Sequence, residues 1–464
     1  MFYRLKDYIA LRKWKYVNRA IYLRGVDIAQ SVKKEEWDIL LLCDGEHDIE
    51  PNIYVSNLLA NGYIEQCEKG QKPSEWSRLK EYDNFYFPRM NLMITGKCNL
   101  NCLHCFNAKD NAPLNTELSY EQVIDILDQA KDIGINAFTI TGGEPLVHRH
   151  FLDIVRAIYE RDMLIFELNT NGLLITQSIL DEFKRLGCRP LIKISYDGIG
   201  FHNWMRQNPK AEELTIKAIK LCIKNGFKVK AQVQFNRKNI DVMMDTARLL
   251  NDLGVCEMRI IRTTEAPRWE KNSPQSSLPI EEYYERMLEF SKEYIHSNMK
   301  MIMDIWQFMR IYPSSKVYEL IPVACTKDEF NIRIPMCKGN RGMIAVSSNG
   351  EVVPCLQMSG GLMDRGISLG NLFKTPLKEL VTDSEYLNIA TAPLLNQILE
   401  NDKCANCKYY KACTGGCPAL GILYSKNNSF YHEDITKCLF FEHGWYEKVT
   451  KEMGDWRISK PLDI

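Results

Sequence analysis

Net charge of either sign is missing from this chain: 59 Lys and Arg offset 59 Asp and Glu, leaving a formal charge of zero. A neutral chain has no global field to draw it to a nucleic acid or an anionic membrane. Long hydrophobic runs are missing as well, and no stretch is apolar enough over the thickness of a bilayer to span one. The opening Met1-Phe2-Tyr3-Arg4-Leu5-Lys6-Asp7 is charged where a secretory signal would be apolar. Together these absences predict a cytoplasmic protein with neither nucleic acid nor membrane as a partner. The 464 residues allow two or three domains and a large core.

What the chain has in number is cysteine, with sixteen. In a long chain without an export signal, that points to metal rather than disulfides. Cys43, Cys67, Cys188, Cys222 and Cys256 are scattered among apolar neighbours and read as small core residues. The others cluster. Cys98, Cys102 and Cys105 form C-x3-C-x2-C, with the aromatic ring of His104 just before the last thiol. Three thiolates this close suit an iron–sulfur cluster, because soft sulfur donors favour iron. A 4Fe-4S cube takes four ligands, so a local triplet leaves one iron open to substrate or cofactor.

Between about residues 90 and 262 the pattern alternates. Apolar, β-branched runs at 93–95, 137–141, 164–168, 191–195, 229–235 and 258–261 are separated by helical stretches at 120–131, 152–161, 179–186, 211–224 and 242–253. Repeated βα units predict an α/β fold with parallel strands and right-handed crossovers, a partial (β/α)6 TIM-like barrel. Function in such barrels collects where strands end. The polar and glycine-rich residues fall there: the triplet after the first strand, then Gly142-Gly143-Glu144-Pro145, Asn169-Thr170-Asn171-Gly172 and Ser195-Tyr196-Asp197-Gly198, with Asn236 and Arg262 after the last two. Ordinary turns also use glycine and asparagine, but that does not explain thiolates on the same rim.

Residues 1–88 differ. Helical patterns at 34–42 and 53–59, followed by Gly62-Tyr63-Ile64-Glu65, predict a small winged-helix-like module. Its basic stretch Arg12-Lys13-Trp14-Lys15 reads either as a phosphate contact or, more simply, as a solvated helix face. The polar segment 69–83 reads as a linker to a core at 89–321.

The C-terminal region, 322–464, holds the second cysteine group. Cys337 is followed by Gly350-Glu351-Val352-Val353-Pro354-Cys355, then Cys404, Cys407, Cys413 and Cys417 in a C-x2-C-x5-C-x3-C array, then Cys438. Gly415 and Gly416 permit tight backbone around sulfur. Four thiolates would close one zinc site, but seven exceed it. Two auxiliary clusters use them up, provided Cys325 or an outside ligand fills the eighth position.

The triplet together with Gly142-Gly143-Glu144-Pro145 resembles the radical S-adenosylmethionine (SAM) superfamily. The series from Cys337 to Cys438 is similar to the SPASM extension of peptide- and protein-modifying members, and the N-terminal module resembles the precursor-recognition element of ribosomal-peptide maturases. The resemblance implies SAM and three 4Fe-4S clusters. SAM would chelate the open iron, and an electron from the cluster would cleave it to a 5′-deoxyadenosyl radical. Gly142 and Gly143 would leave room beside the methionyl group, with Glu144, ahead of Pro145, or a backbone carbonyl accepting its ammonium protons. His104 would lie against adenine. Asn169 or Asn171, with Ser195, would face ribose and carboxylate, and Arg206 would pair with that carboxylate unless it is a surface arginine. Cys337, Cys355 and Cys417 would hold the first auxiliary cluster, and Cys404, Cys407, Cys413 and Cys438 the second. The first cluster's fourth ligand would be Cys325, or its iron would be open to a substrate thiol.

The implied activity is oxidative cross-linking of a ribosomal precursor peptide, foremost a cysteine thioether. The leader would bind the N-terminal module, and a low-potential donor such as flavodoxin or ferredoxin would supply electrons. Carbon–carbon or carbon–oxygen cross-linking has the same redox count. Peptide epimerisation needs a hydrogen donor on the rim, where no scattered cysteine is evident. Formylglycine formation by an anaerobic sulfatase-maturing enzyme fits less well with the extra module and with no further cysteine soon after Cys337. A DNA-binding iron–sulfur regulator is the alternative outside enzymes.

Overall fold

Apolar runs, several of them buried on both faces, mark the strands that carry this fold. The computed structural model describes residues 1–105, 108–109, 112–113, 115–263, 269 and 272–462. At the N-terminus, β1 (Phe2–Leu5), β2 (Ile9–Trp14) and β3 (Val17–Leu23) precede α1 (Lys34–Leu42), β4 (Asp44–Asp48), α2 (Ile53–Ala60) and β5 (Ile64–Gln66). β1 lies between β4 and β5, antiparallel to both. Asn52 caps α2, accepting from the Tyr54 and Val55 N–H groups. Tyr3, Leu5, Leu40, Val55, Leu58 and Ile64 form a small core. The helix pair and following strand match the sequence expectation. The β2–β3 hairpin in front of them does not.

That hairpin corrects the reading of Arg12–Lys15 as a helix face. Arg12 is buried in β2, where its guanidinium donates to the Leu11, Trp76 and Arg78 carbonyls. Trp14 is buried, and its Nε1 donates to Ile133 O at 3.1 Å. β2 is buried on both faces, Ile9 and Leu11 in one cluster and Ala10 and Trp14 in another, and the two cations hid that. Nor is 69–83 a simple linker: Lys80–Glu81 pairs with Arg12 and Lys13 of β2 in parallel.

The core follows as β6 (Arg89–Thr95), α3 (Tyr120–Asp132), β7 (Ala137–Gly142), α4 (Phe151–Glu160), β8 (Leu164–Thr170), α5 (Gln177–Arg185), β9 (Leu191–Ser195), α6 (His202–Arg206), α7 (Ala211–Lys224), β10 (Val229–Phe235), α8 (Met243–Asp252) and β11 (Glu257–Arg262). β6 to β11 are parallel and adjacent in chain order, as the repeated pattern predicts. Ser119 and Gln122 form a capping box that starts α3. The series continues past residue 262 with α9 (Ile280–Ile295) and a seventh parallel strand, β12 (Ile302–Ile305), which the sequence reading omits. β13 (Met309–Tyr312) and β14 (Val317–Leu320) then turn antiparallel.

The C-terminal region is stitched into this sheet. β15 (Met343–Val346) runs parallel to β6, with Met343 opposite Arg89 and Val346 opposite Leu92. It pairs in turn with Val352–Val353. The cysteine-rich segment is thereby fixed beside the strand that leads to the triplet. One apolar core runs from the sheet through α3–α9 into helix Ile435–Glu442.

Among the scattered cysteines, Cys43, Cys188 and Cys222 are buried as expected. Cys67 is half-buried and Cys256 exposed, so the core reading fails for those two. Cys256 sits in a strand-entry turn, with its thiol donating to Val229 O at 3.1 Å.

Candidate functional site

β6 ends at Thr95, and the chain turns at once into the triplet. This loop rests on the end of β7. The Gly143 N–H donates to Thr95 O at 2.7 Å and the Glu144 N–H to Lys97 O at 2.9 Å. A Cβ at Gly142 would lie 2.6 Å from Thr95 O; one at Gly143 would lie 2.3 Å from Lys97 O and 2.4 Å from Gly96 O. Both glycines are therefore needed for the triplet loop to pack on β7. The sequence reading gave them a different task, room beside a cofactor.

Glu144 is fully buried. Its Oε1 accepts from the Leu146 N–H and the Thr170 hydroxyl, and its Oε2 from the Asn171 N–H at 2.7 Å. The carboxylate thus ties the ends of β7 and β8 together. Burial pushes its pKa up to about 7, against the opposing pull of these donors and of Arg206. Unfolded, the group ionises near 4.5. The folded protein therefore binds the extra proton between those values, and stability falls as pH rises from 4.5 through 7. We expect about 3 kcal/mol from this group in the apoprotein, seen as a drop in Tm over that window. Glu144→Gln should flatten the drop while lowering Tm throughout, because an amide cannot accept from all three donors. An unchanged pH profile would contradict the assignment.

Cys102 is buried, while Cys98 and Cys105 are half-buried. The Leu100 N–H donates to Cys98 Sγ at 3.4 Å, and Asn171 Nδ2 approaches the same sulfur at 3.9 Å. Burial, then neighbouring Cys102, Glu144 and Cys105, pushes the Cys98 thiol up to about 11 against the Leu100 N–H. A soft ligand would displace that proton on binding. No three His, Cys, Asp or Glu among the described residues stand at the spacing of a single ion. The triplet's donor chemistry suits a multi-iron cluster, whose sulfur ligands are set wider.

The other residues singled out from sequence are placed as follows. Pro145 begins a short 3-10 turn, 145–147. His104 is buried, with Nε2 3.7 Å from Asp197 Oδ1. Asn169 and Ser195 lie on β8 and β9 on the face away from the helices, and Asn169 Oδ1 is buried with no hydrogen-bond partner among the described residues. Asn171 Nδ2 donates to Asn99 Oδ1 at 2.7 Å, joining the β8 end to the triplet loop. Arg206 is not a surface residue: it is buried, with Nε 2.6 Å from Asp197 Oδ2 and Nη1 donating to Cys102 Sγ at 3.6 Å. Asp197, fully buried, stands in the rim sequence without having drawn notice. Burial would raise its pKa; Arg206 and His104 more than offset that and hold it well below the carboxylate range.

The C-terminal cysteines form two neighbourhoods. Cys404, Cys407, Cys413 and Cys438 line one small space, together with Tyr410 and Lys437. Cys417 has Cys337 and Cys355 among the groups that raise its thiol, after burial and Asp434. Gly415 and Gly416 take φ of +73° and +86°, and Cβ atoms there would strike Gln397 and Asp434. Asp434, missed from sequence, accepts from the Cys417 N–H at 3.0 Å and caps helix Ile435–Glu442. Cys325 stands apart. It is buried with its thiol donating to Lys411 O at 3.0 Å, and no cysteine is among the groups that shift it.

Residues 92–250 match the Radical SAM superfamily, and residues 337–408 match SPASM, an iron-sulfur cluster-binding domain. The AdoMet-dependent heme synthase of Methanosarcina barkeri is 25% identical over 350 residues, covering 75% of this chain and 95% of its own. The antilisterial bacteriocin subtilosin biosynthesis protein AlbA of Bacillus subtilis is 25% identical over 362 residues, covering 77% of this chain and 72% of its own. Streptococcus suis SuiB, solved with its precursor peptide SuiA, shares the fold at a TM-score of 0.62 and 16% identity, over 94% of this chain and all of SuiB. No helix among the described residues is long and apolar enough to cross a membrane. The chain carries a radical SAM domain and, C-terminal to it, a SPASM iron-sulfur cluster-binding domain.

Proposed function

We propose that this chain is a maturase that installs an oxidative cross-link, foremost a cysteine thioether, in a ribosomal precursor peptide. The observation that carries the reading is an N-terminal module, with a small core of its own, ahead of a radical SAM core that also has two further cysteine sets. The chain would divide into 1–88, 89–321 and 322–464. The module has an apolar face: Leu41 and Leu42 of α1 and Ile53, Tyr54 and Leu59 of α2 are exposed. Exposed apolar residues grouped on two neighbouring helices suit a peptide partner, and an extended leader would add to the edge of the β4-β1-β5 sheet. Because Trp14 and Tyr22 donate to carbonyls of the loop after α3, a point change is cleaner than deletion. Leu59→Glu should weaken leader-peptide affinity at least tenfold by fluorescence anisotropy, with SAM cleavage retained. Equal affinity would rule the face out.

Cys98, Cys102 and Cys105 would hold the cluster that, when loaded, reduces SAM to start hydrogen abstraction. The β7 end, Asn169, Asn171 and Ser195 would border SAM, and His104 and Arg206, both beside Asp197, would close its place. Cys404, Cys407, Cys413 and Cys438 would hold one auxiliary cluster and Cys337, Cys355 and Cys417 the other. These would take the electron released as the substrate radical is oxidised, with flavodoxin or ferredoxin as the outside donor. The tie from Cys325 to Lys411 supports an auxiliary cluster with only three cysteines from the chain. Cys325→Ser should keep the full iron complement of the reconstituted protein. Loss of one cluster's iron would make Cys325 a ligand.

A second reading, heme synthesis, is favoured by the Methanosarcina barkeri relative. That match leaves a quarter of this chain uncovered, whereas the likeness to SuiB extends over nearly all of it. Epimerisation is disfavoured by the position of Cys256, at the strand entries and opposite the triplet. Incubation with SAM and dithionite separates the enzyme readings from a DNA-binding regulator: 5′-deoxyadenosine forms only under the first.

A further inference from the structure

A closed chain of polar contacts joins two of the triplet sulfurs through the barrel end. Asn171 Nδ2 stands 3.9 Å from Cys98 Sγ, and Asn171 O accepts from the Thr215 hydroxyl at 3.4 Å. That hydroxyl pairs with His202 Nε2 at 3.1 Å, and His202 Nδ1 accepts from the Asp197 N–H at 3.0 Å. The accepting Nδ1 puts the ring proton on Nε2, so His202 is neutral and its 3.5 Å approach to Asp197 Oδ2 is no ion pair. Asp197 then faces Arg206 at 2.6 Å, and Arg206 Nη1 donates to Cys102 Sγ at 3.6 Å. Asp197 and His202 are fully buried, Arg206 and Asn171 nearly so.

A guanidinium and a carboxylate are costly to bury, and a surface pair would have served for stability alone. Here the cation is aimed at a sulfur and the anion is aimed at the cation. Hydrogen bonds to ligating sulfur are one of the terms that set a cluster's potential. A donor carrying positive charge favours the reduced, more negative cluster. A carboxylate behind that donor opposes it.

We propose that Arg206 and Asp197 are an opposed pair of positioning residues that set the reduction potential of the cluster at Cys98, Cys102 and Cys105. This rests on the triplet being the cluster ligands. Arg206 raises the potential through Cys102, and Asp197 restrains the rise while holding the guanidinium in place. The relay through His202 and Thr215 fixes Asp197 against the same loop that Asn171 holds.

The test is an EPR-monitored redox titration of the reconstituted full-length protein without SAM, following the signal that added SAM perturbs, alongside iron analysis. Arg206→Gln should make the cluster harder to reduce, about tenfold in the one-electron equilibrium or ~59 mV. Arg206→Lys, which keeps the charge, should recover at least half of that. Asp197→Asn should shift the potential the opposite way. A purely structural role would move neither potential, or both in one direction, and either result overturns the proposal. If Asp197→Asn does not fold, the Gln and Lys variants at Arg206 still decide: equal potentials overturn the proposal. Iron content unchanged by Cys98→Ala would instead overturn the ligand assignment beneath it.

Discussion

Replacing Cys98 with alanine abolishes 5′-deoxyadenosine formation from SAM and dithionite. On the proposed reading the triplet has no spare ligand: one loop offers three thiols, and the fourth position would be the one SAM needs. Two thiols do not hold a cube with one open iron. The loss should be at least ~10⁴-fold, because on this reading SAM cleavage draws its electron from the triplet's cluster. The same holds for Cys102 and Cys105. The auxiliary cysteines lie in neighbourhoods of their own, so Cys98→Ala should lose the iron of one cluster and keep the remainder. A variant that still made 5′-deoxyadenosine would refute the assignment. One that lost all its iron would mean that the three sites load as a unit.

Gly143→Ala should also be damaging, without touching a ligand. The added methyl would lie 2.3 Å from Lys97 O and 2.4 Å from Gly96 O. Both obstacles are backbone, so no side chain can swing aside. The triplet loop has to lift from β7, breaking the hydrogen bonds from Gly143 to Thr95 and from Glu144 to Lys97. Overpacking of this kind costs about 1–3 kcal/mol, and a displacement near 1 Å costs about 100-fold in rate. SAM cleavage should fall by that factor, with the far-UV CD spectrum unchanged. Gly360→Ala, in helix Leu356–Asp364 with open space around its Cα, serves as the comparison and should be silent. Equal activity in the two variants would show that the loop does not depend on the close approach.

The residues legible in the sequence were those whose chemistry demands a spacing. Thiolates for iron must cluster, so the triplet and the Cys404–Cys417 array stood out. Six strands showed through because parallel, two-sided burial leaves apolar runs. The region 1–23 was less legible, since cations at Arg12 and Lys13 interrupt a strand whose burial comes from carbonyls and aromatic rings elsewhere in the chain. The seventh unit, α9 and β12, has an amphipathic helix of ordinary form and was lost only because the reading closed at residue 262. Arg206 and Asp197 illustrate a different limit. Spacing puts both near the rim, but which of them faces sulfur depends on how α6 packs against the triplet loop. The motif fixes the identity of the two glycines, and the structure adds that carbonyls of the triplet loop occupy the space a side chain would need. Cys325 was grouped with its nearest neighbours in sequence, while its thiol is tied to Lys411.

The most direct test of the proposed activity is the mass of a precursor peptide, encoded beside this gene, after anaerobic incubation with the reconstituted protein, SAM and dithionite. Loss of two hydrogens from the peptide, in step with 5′-deoxyadenosine, is the predicted result. 5′-Deoxyadenosine formed with the peptide mass unchanged would contradict it.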